Sequence, residues 1–215
     1  MKLFLTSAGL PPETTEEFLR LLGKKPEETT ICFITTASHP EENKGYVEKD
    51  RERLSELGFK ITEVDLKEEN EESLRDKLES FDFIFVEGGN SFYLLKYMRE
   101  SGFDKALKPF LDKGGIYFGV SAGTMVAGLS IESANWKHMD RNIVKLEDLT
   151  GLKLVSFVFS VHIDESNINI VKKCANRANY PVIALTDKQA FLVDDGKKRI
   201  VGVGEKLIFN TSTRF

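Results

Sequence analysis

Apolar runs alternate with amphipathic stretches along the first half of the chain, which predicts strands laid between helices. Lys2–Ser7, Thr30–Thr35, Lys60–Leu66 and Phe81–Val86 read as strands. Between them, Thr14–Leu22, Tyr46–Leu57 and Glu71–Leu78 read as helices. Phe18, Leu19 and Leu22 share one face of the first, and Gly23 and Gly58 supply stops. Two further helices, Asn90–Arg99 and Asp104–Leu111, end near Gly102 and Gly114-Gly115, and the run Gly115-Ile116-Tyr117-Phe118 is the next strand. This order predicts an α/β fold with a mostly parallel sheet flanked by helices. In such sheets ligands bind beyond the carboxyl ends of the strands.

The pattern changes after the fifth strand. Leu129–Thr150 is mixed and polar with no clean period, and reads as a long connection near the site. Leu152–Ile163 is apolar and β-rich. Ser166–Ala178 places Ile168, Val171, Ala175 and Ala178 at helical spacing. From Pro181 onward the short runs Val182–Leu185, Ala190–Val193, Ile200–Val203 and Leu207–Asn210 are separated by turn signals at Asp187-Lys188 and Asp195-Gly196. They predict a C-terminal antiparallel β meander.

Composition narrows the function classes. The 215 residues are expected to form a single domain, 1–215, with 41% hydrophobic and 30% charged residues and a net charge of -4. Clustered lysine and arginine, which nucleic-acid binding requires, are absent, so no nucleic-acid partner is expected. Lys197-Lys198-Arg199 reads as a solvated hairpin. No apolar segment reaches membrane-spanning length, and the apolar start of the chain is too short for a secretory signal. No membrane association and a cytoplasmic location are the expectations. The two cysteines, Cys32 and Cys174, read as core thiols, not as a disulfide or a metal site.

The candidate chemistry centres on Gly119-Val120-Ser121-Ala122-Gly123, where a strand ends and a helix begins at once. A Gly-x-Ser-x-Gly turn in that setting is a nucleophile elbow: it lifts the serine hydroxyl above the strand end, beside unpaired amides of the following helix. A serine hydroxyl is a weak nucleophile and needs a base, usually histidine. The chain has three histidines: His39, His138 and His162. His162 ends an apolar run at the correct edge of the sheet and is the best candidate, with a purely structural histidine as the alternative. Ala122 and Gly89 are the candidate oxyanion donors, Gly89 because a substrate must approach the backbone closely there. Gly88-Gly89 could instead hold a phosphate, but no dinucleotide fingerprint or phosphate-loop lysine accompanies it.

Glu87-Gly88-Gly89-Asn90-Ser91-Phe92-Tyr93-Leu94-Leu95, followed by the serine motif and Val161-His162, resembles the serine peptidases that include aspartyl dipeptidase (peptidase E) and cyanophycinase. The resemblance implies a class I glutamine amidotransferase-like fold, Ser121 as nucleophile, His162 as base, and Gly89 with Ala122 as the oxyanion hole. It implies a small peptide substrate, no metal and no organic cofactor; peptidase E-like members cleave dipeptides with an N-terminal aspartate. The chain departs from the family pattern where an acid follows the nucleophile motif. Trp136 stands in that place, leaving Glu132, Asp140 or a neutral group to orient His162. The segment Ile163-Asp164-Glu165-Ser166-Asn167 also lacks the basic residues associated with aspartate recognition. The alternatives are an esterase of the α/β-hydrolase type, against which the absence of a later histidine argues, and a non-catalytic small-molecule or peptide-binding protein that kept the elbow.

Overall fold

The computed structural model describes residues 1–137 and 140–211. His138 lies outside the described residues. Strands β1 (Lys2–Thr6), β2 (Thr30–Ile34), β3 (Lys60–Val64), β4 (Phe83–Val86) and β5 (Ile116–Val120) form a parallel array. Strands β8 (Gln189–Asp194) and β9 (Lys197–Gly202) extend it antiparallel, giving the order β3-β2-β4-β5-β1-β8-β9.

Alternation along the central strands sorts their side chains onto two faces. Phe4, Ile31, Phe33, Phe83, Phe85 and Phe118 point to one face and pack under helices α1 (Pro12–Leu22) and α2 (Gly45–Glu56). Leu3, Leu5, Cys32, Ile34, Ile84, Val86 and Tyr117 point to the other. That face is covered by α3 (Glu71–Leu78), α4 (Ser91–Glu100), α5 (Phe103–Asp112) and α6 (Ala122–Ala127). With both faces covered, β4 and β5 are apolar at every position, whereas the edge strand β3 is largely exposed. The first face is notably aromatic: the Phe85 and Phe118 rings stack at 4.6 Å, and Phe18 from α1 meets Phe118 edge-on at 4.9 Å. Each such fully buried phenylalanine contributes about 2 kcal/mol from burial.

Local signals set the helix ends. Gly23 takes a left-handed φ of 69° and its amide returns to the Leu19 carbonyl, closing α1. Asn70 and Ser73 form a reciprocal capping box on α3, and the Asn90 side chain accepts from the Tyr93 amide to start α4.

The expected C-terminal antiparallel strands are present, but they divide between two sheets. Strands β8 and β9 join the main sheet, while β7 (Val182–Ala184) pairs parallel with β6 (Val158–Ser160) and antiparallel with β10 (Leu207–Phe209). The chain passes from the small sheet to the large one at residues 185–188. Only Val158–Ser160 of the apolar run Leu152–Ile163 is strand, because part of that run serves α6 instead. The Leu152 and Leu154 amides donate to the Val126 and Ala127 carbonyls, satisfying groups that the end of a helix leaves open. The expected helix after His162 is shorter than its apolar pattern, α7 (Ile168–Ala175), with Val171 and Ala175 facing inward and Cys174 half-buried. Among the described residues, no helix is long and apolar enough to cross a membrane, and no group of three or more His, Cys, Asp or Glu side chains is placed to hold a metal ion.

Candidate active site

Ser121 follows β5 directly and precedes α6. Its backbone sits at φ 48° and ψ -104°, a strained conformation for a residue with a side chain. The elbow is pinned from several sides. The Ser121 amide donates to the Thr6 carbonyl at 3.0 Å, and the Ser121 carbonyl accepts from Thr124 and Met125. The buried Tyr117 hydroxyl donates to the Gly123 carbonyl at 2.7 Å. The flanking glycines are demanded by space: a Cβ on Gly119 would lie 2.6 Å from the Gly123 carbonyl oxygen, and one on Gly123 would lie 2.3 Å from that of Val86. The sequence motif therefore has a steric cause.

His162 follows β6 closely and arrives from the small sheet. Its ring Nε2 lies 2.9 Å from Ser121 Oγ, and its Nδ1 lies 2.7 Å from Asp187 Oδ1. In the neutral ring the serine hydroxyl can donate to Nε2 only if Nδ1 carries the ring proton, and the Asp187 carboxylate accepts a hydrogen bond from that Nδ1–H. The hydrogen bond from His162 holds the Asp187 carboxyl below the usual carboxylate range, against the opposing effect of partial burial. The backbone of His162 is held as tightly as its ring. Its amide donates to Ser7 Oγ at 3.1 Å, Ser7 Oγ donates to the Leu185 carbonyl at 2.9 Å, and the Asn167 side chain donates to the His162 carbonyl at 2.8 Å. Ser7 follows β1, so one hydroxyl joins the main sheet to the junction that carries both His162 and Asp187.

Asp187 is the residue that sequence reasoning missed. It occupies the turn between β7 and β8, where the buried Gln189 side chain accepts from the Thr186 amide at 3.1 Å. The turn signal at Asp187-Lys188 was legible; its position beside His162 depends on β7 and β8 belonging to different sheets.

Neither carboxylate considered from sequence is the hydrogen-bond partner of His162. Glu132 begins a short 3-10 turn, Glu132–Asn135, and burial raises its carboxyl. Asp140 accepts from the Ser91 amide at 2.7 Å, so it caps α4 instead of orienting His162. Trp136, in the place of the expected acid, packs among Val158, Val171 and Val182 where the small sheet meets α7. His39 is 3.6 Å from Asp65 and leans toward the Tyr93 ring, an arrangement separate from Ser121.

Gly88 and Gly89 form the neighbouring wall. A Cβ on Gly88 would come within 3.1 Å of the Ser121 Cβ, so the backbone there abuts the serine. Gly89 has φ 130°, a conformation that favours glycine, and the Asn90 amide that follows it donates to the Ala37 carbonyl. Ala122 is the first residue of α6, where an amide has no partner inside the helix. Ser121, His162, Gly88 and Gly89 line a cavity of about 470 Å³ with Tyr46 and Asp140. A depression of similar size, about 480 Å³, lies at the opposite end of the sheet near Phe81 and Gly115, so volume alone does not single out the site.

Comparison with known proteins bears on what this arrangement is. A family model described as Peptidase family S51 matches residues 3–201. An uncharacterized peptidase of Listeria monocytogenes is 34% identical over 188 residues, covering 84% of this chain and 89% of the relative. An uncharacterized peptidase of Pasteurella multocida is 31% identical over 206 residues, covering 94% and 97%. The solved structure of a candidate peptidase E protein from Listeria monocytogenes has a TM-score of 0.82 at 28% identity, over 94% of this chain and 98% of that one. With the fold and nearly the whole length matched, the chain belongs to peptidase family S51.

Proposed function

We propose that the protein is a serine peptidase that hydrolyses short peptides, with Ser121 as nucleophile, His162 as general base and Asp187 as the group that orients and stabilises the imidazole. The observation that carries this reading is the unbroken chain of contacts from Ser121 Oγ to His162 Nε2 at 2.9 Å and from His162 Nδ1 to Asp187 at 2.7 Å. In the first step the Ser121 oxygen attacks the scissile carbonyl carbon while its proton passes to His162 Nε2. The imidazolium then returns that proton to the departing amine as the C–N bond breaks, leaving an ester on Ser121. Water, deprotonated by the same nitrogen, attacks the ester, and the acyl group leaves with Ser121 restored.

The tetrahedral oxyanion would be met by the amides of Ala122 and Gly89. The close approach of Gly88 to Ser121, with Gly89 next in the chain, and the open first turn of α6 support that assignment. A single well-placed donor is worth about 3 kcal/mol in the barrier. The contact between His162 and Ser121 favours this reading over a binding protein that merely retains the elbow shape.

A panel of dipeptides varied at the N-terminal residue, assayed with wild type and Ser121→Ala, tests the proposal. Hydrolysis by wild type and its loss in a folded Ser121→Ala protein are expected. Equal turnover by both proteins would remove Ser121 from the mechanism. Faster turnover of simple esters than of every dipeptide would favour the esterase alternative.

A further inference from the structure

The cavity beside Ser121 holds a feature that acyl chemistry does not use. Glu87 directly follows β4 at the active edge of the sheet and lines the cavity, yet its side chain is fully buried. Neither of its carboxylate oxygens has a well-formed hydrogen-bond partner among the described residues. Its neighbours are the Gly88 amide and the Asp50 carboxyl. Asp50 projects from α2 one turn after Tyr46, and it lies where a Cβ on Gly9 would be, within 2.0 Å. Burial pushes Asp50 up to about 6, and burial plus the proximity of Asp50 raises Glu87 well above the usual range. Glu41 and Asp140 line the same cavity, against a single lysine, Lys49.

A buried carboxyl whose only nearby donors are one backbone amide and a neighbouring carboxyl is under-satisfied, and the lack is relieved by a ligand that brings positively charged N–H groups. An anionic side chain placed beside Asp50, Glu87, Glu41 and Asp140 would meet carboxyls with no cation among them, Lys49 being the one lysine in the lining. We infer that the Glu87–Asp50 pair is a subsite for an ammonium group of the substrate, supplied either by the free α-amine or by a basic side chain. This rests on the hydrolase reading above and gives it a substrate class. It also predicts against an aspartate side chain at this subsite, in contrast to the preference that the motif resemblance implies.

The test measures binding, not turnover, and so is separable from the reaction itself. Ser121→Ala protein is titrated calorimetrically with four peptides: Ala-Ala, N-acetyl-Ala-Ala, N-acetyl-Lys-Ala and N-acetyl-norleucyl-Ala. The expected result is that at least one cationic peptide binds about tenfold or more tightly than its neutral counterpart, a difference of about 1.4 kcal/mol. A preference for Ala-Ala over its acetylated form identifies the α-amine; a preference for the lysyl over the norleucyl peptide identifies the side chain. Adding Glu87→Gln, or Asp50→Asn if the first variant does not fold, should abolish the preference. Equal binding within both pairs, no binding at all, or a preference that survives in the folded variants would overturn the inference. Wild-type hydrolysis of the same peptides is scored separately: a hydrolase failure with the cation preference intact would contradict only the reaction.

Discussion

The two walls of the candidate site are built on opposite principles. The elbow wall is local and buried: β5, Ser121 and α6 are contiguous in sequence, Gly119 and Gly123 permit backbone contact, and the carboxyls nearby are desolvated. The base wall is assembled from distant segments. His162 and Asp187 come from loops at the junction of two sheets, and Asp187 has 60% of its side chain exposed. Placing Ser121 takes a rigid turn, whereas placing His162 takes correct strand pairing and one bridging hydroxyl, Ser7. Mutations on the two walls should therefore fail in different ways.

The largest effect belongs to the elbow. Ser121→Ala is expected to lower kcat by a factor of about 10^4 or more with the fold retained, checked by steady-state kinetics and circular dichroism. On the base wall, Asp187→Asn should lower kcat/KM by about 10^2 to 10^3. A fully buried acid in a comparable triad loses about 10^4, and the exposure of Asp187 lets water replace part of its role. A loss as large as that from Ser121→Ala would show the walls to be equally demanding.

Next comes a change read in stability. Gly123→Ala drives a methyl group against the Val86 carbonyl and should cost about 3 kcal/mol in denaturant unfolding. Ser7→Ala, in contrast, should leave stability nearly unchanged and lower kcat about tenfold by loosening the His162 backbone, with little change in KM. A stability loss without a kinetic one in Ser7→Ala would make that hydroxyl a packing group only.

The smallest effect is one of sign. Asp187 has a lowered folded pKa, so its stabilisation is present above the unfolded value of about 3.9 and is lost as pH falls through the folded one. Asp50, raised to about 6, behaves in reverse: its stabilisation is full below the unfolded value and is lost as pH rises through about 6. Thermal melts from about pH 3 to about pH 8 should show the Tm of wild type rising relative to Asp187→Asn and falling relative to Asp50→Asn, each by a few degrees. Parallel trends in the two variants would contradict the charge contrast between the walls.

What the sequence made legible follows the same division. Periodicity located the five parallel strands and their helices because β4 and β5, buried on both sides, read as continuous apolar runs. The elbow was legible because its steric demands, those from Val86 included, all fall on the residues of one short motif, Gly119–Gly123. His162 could be chosen from a strand-end position. Asp187 could not, since the short strands after Pro181 look alike in sequence and only their pairing sends β7 to one sheet and β8 to the other. Trp136 shows the converse: a missing acid in one loop was real, and the structure supplies the carboxylate from a different turn while using the tryptophan to pack the small sheet.

The most direct test of the relay is inactivation by a small fluorophosphonate, with the adduct mapped by mass spectrometry. The relay predicts a single adduct on Ser121 that forms rapidly in wild type, slowly in Asp187→Asn and not measurably in His162→Ala. An adduct on another residue, or labelling of Ser121 at the wild-type rate in His162→Ala, would contradict it.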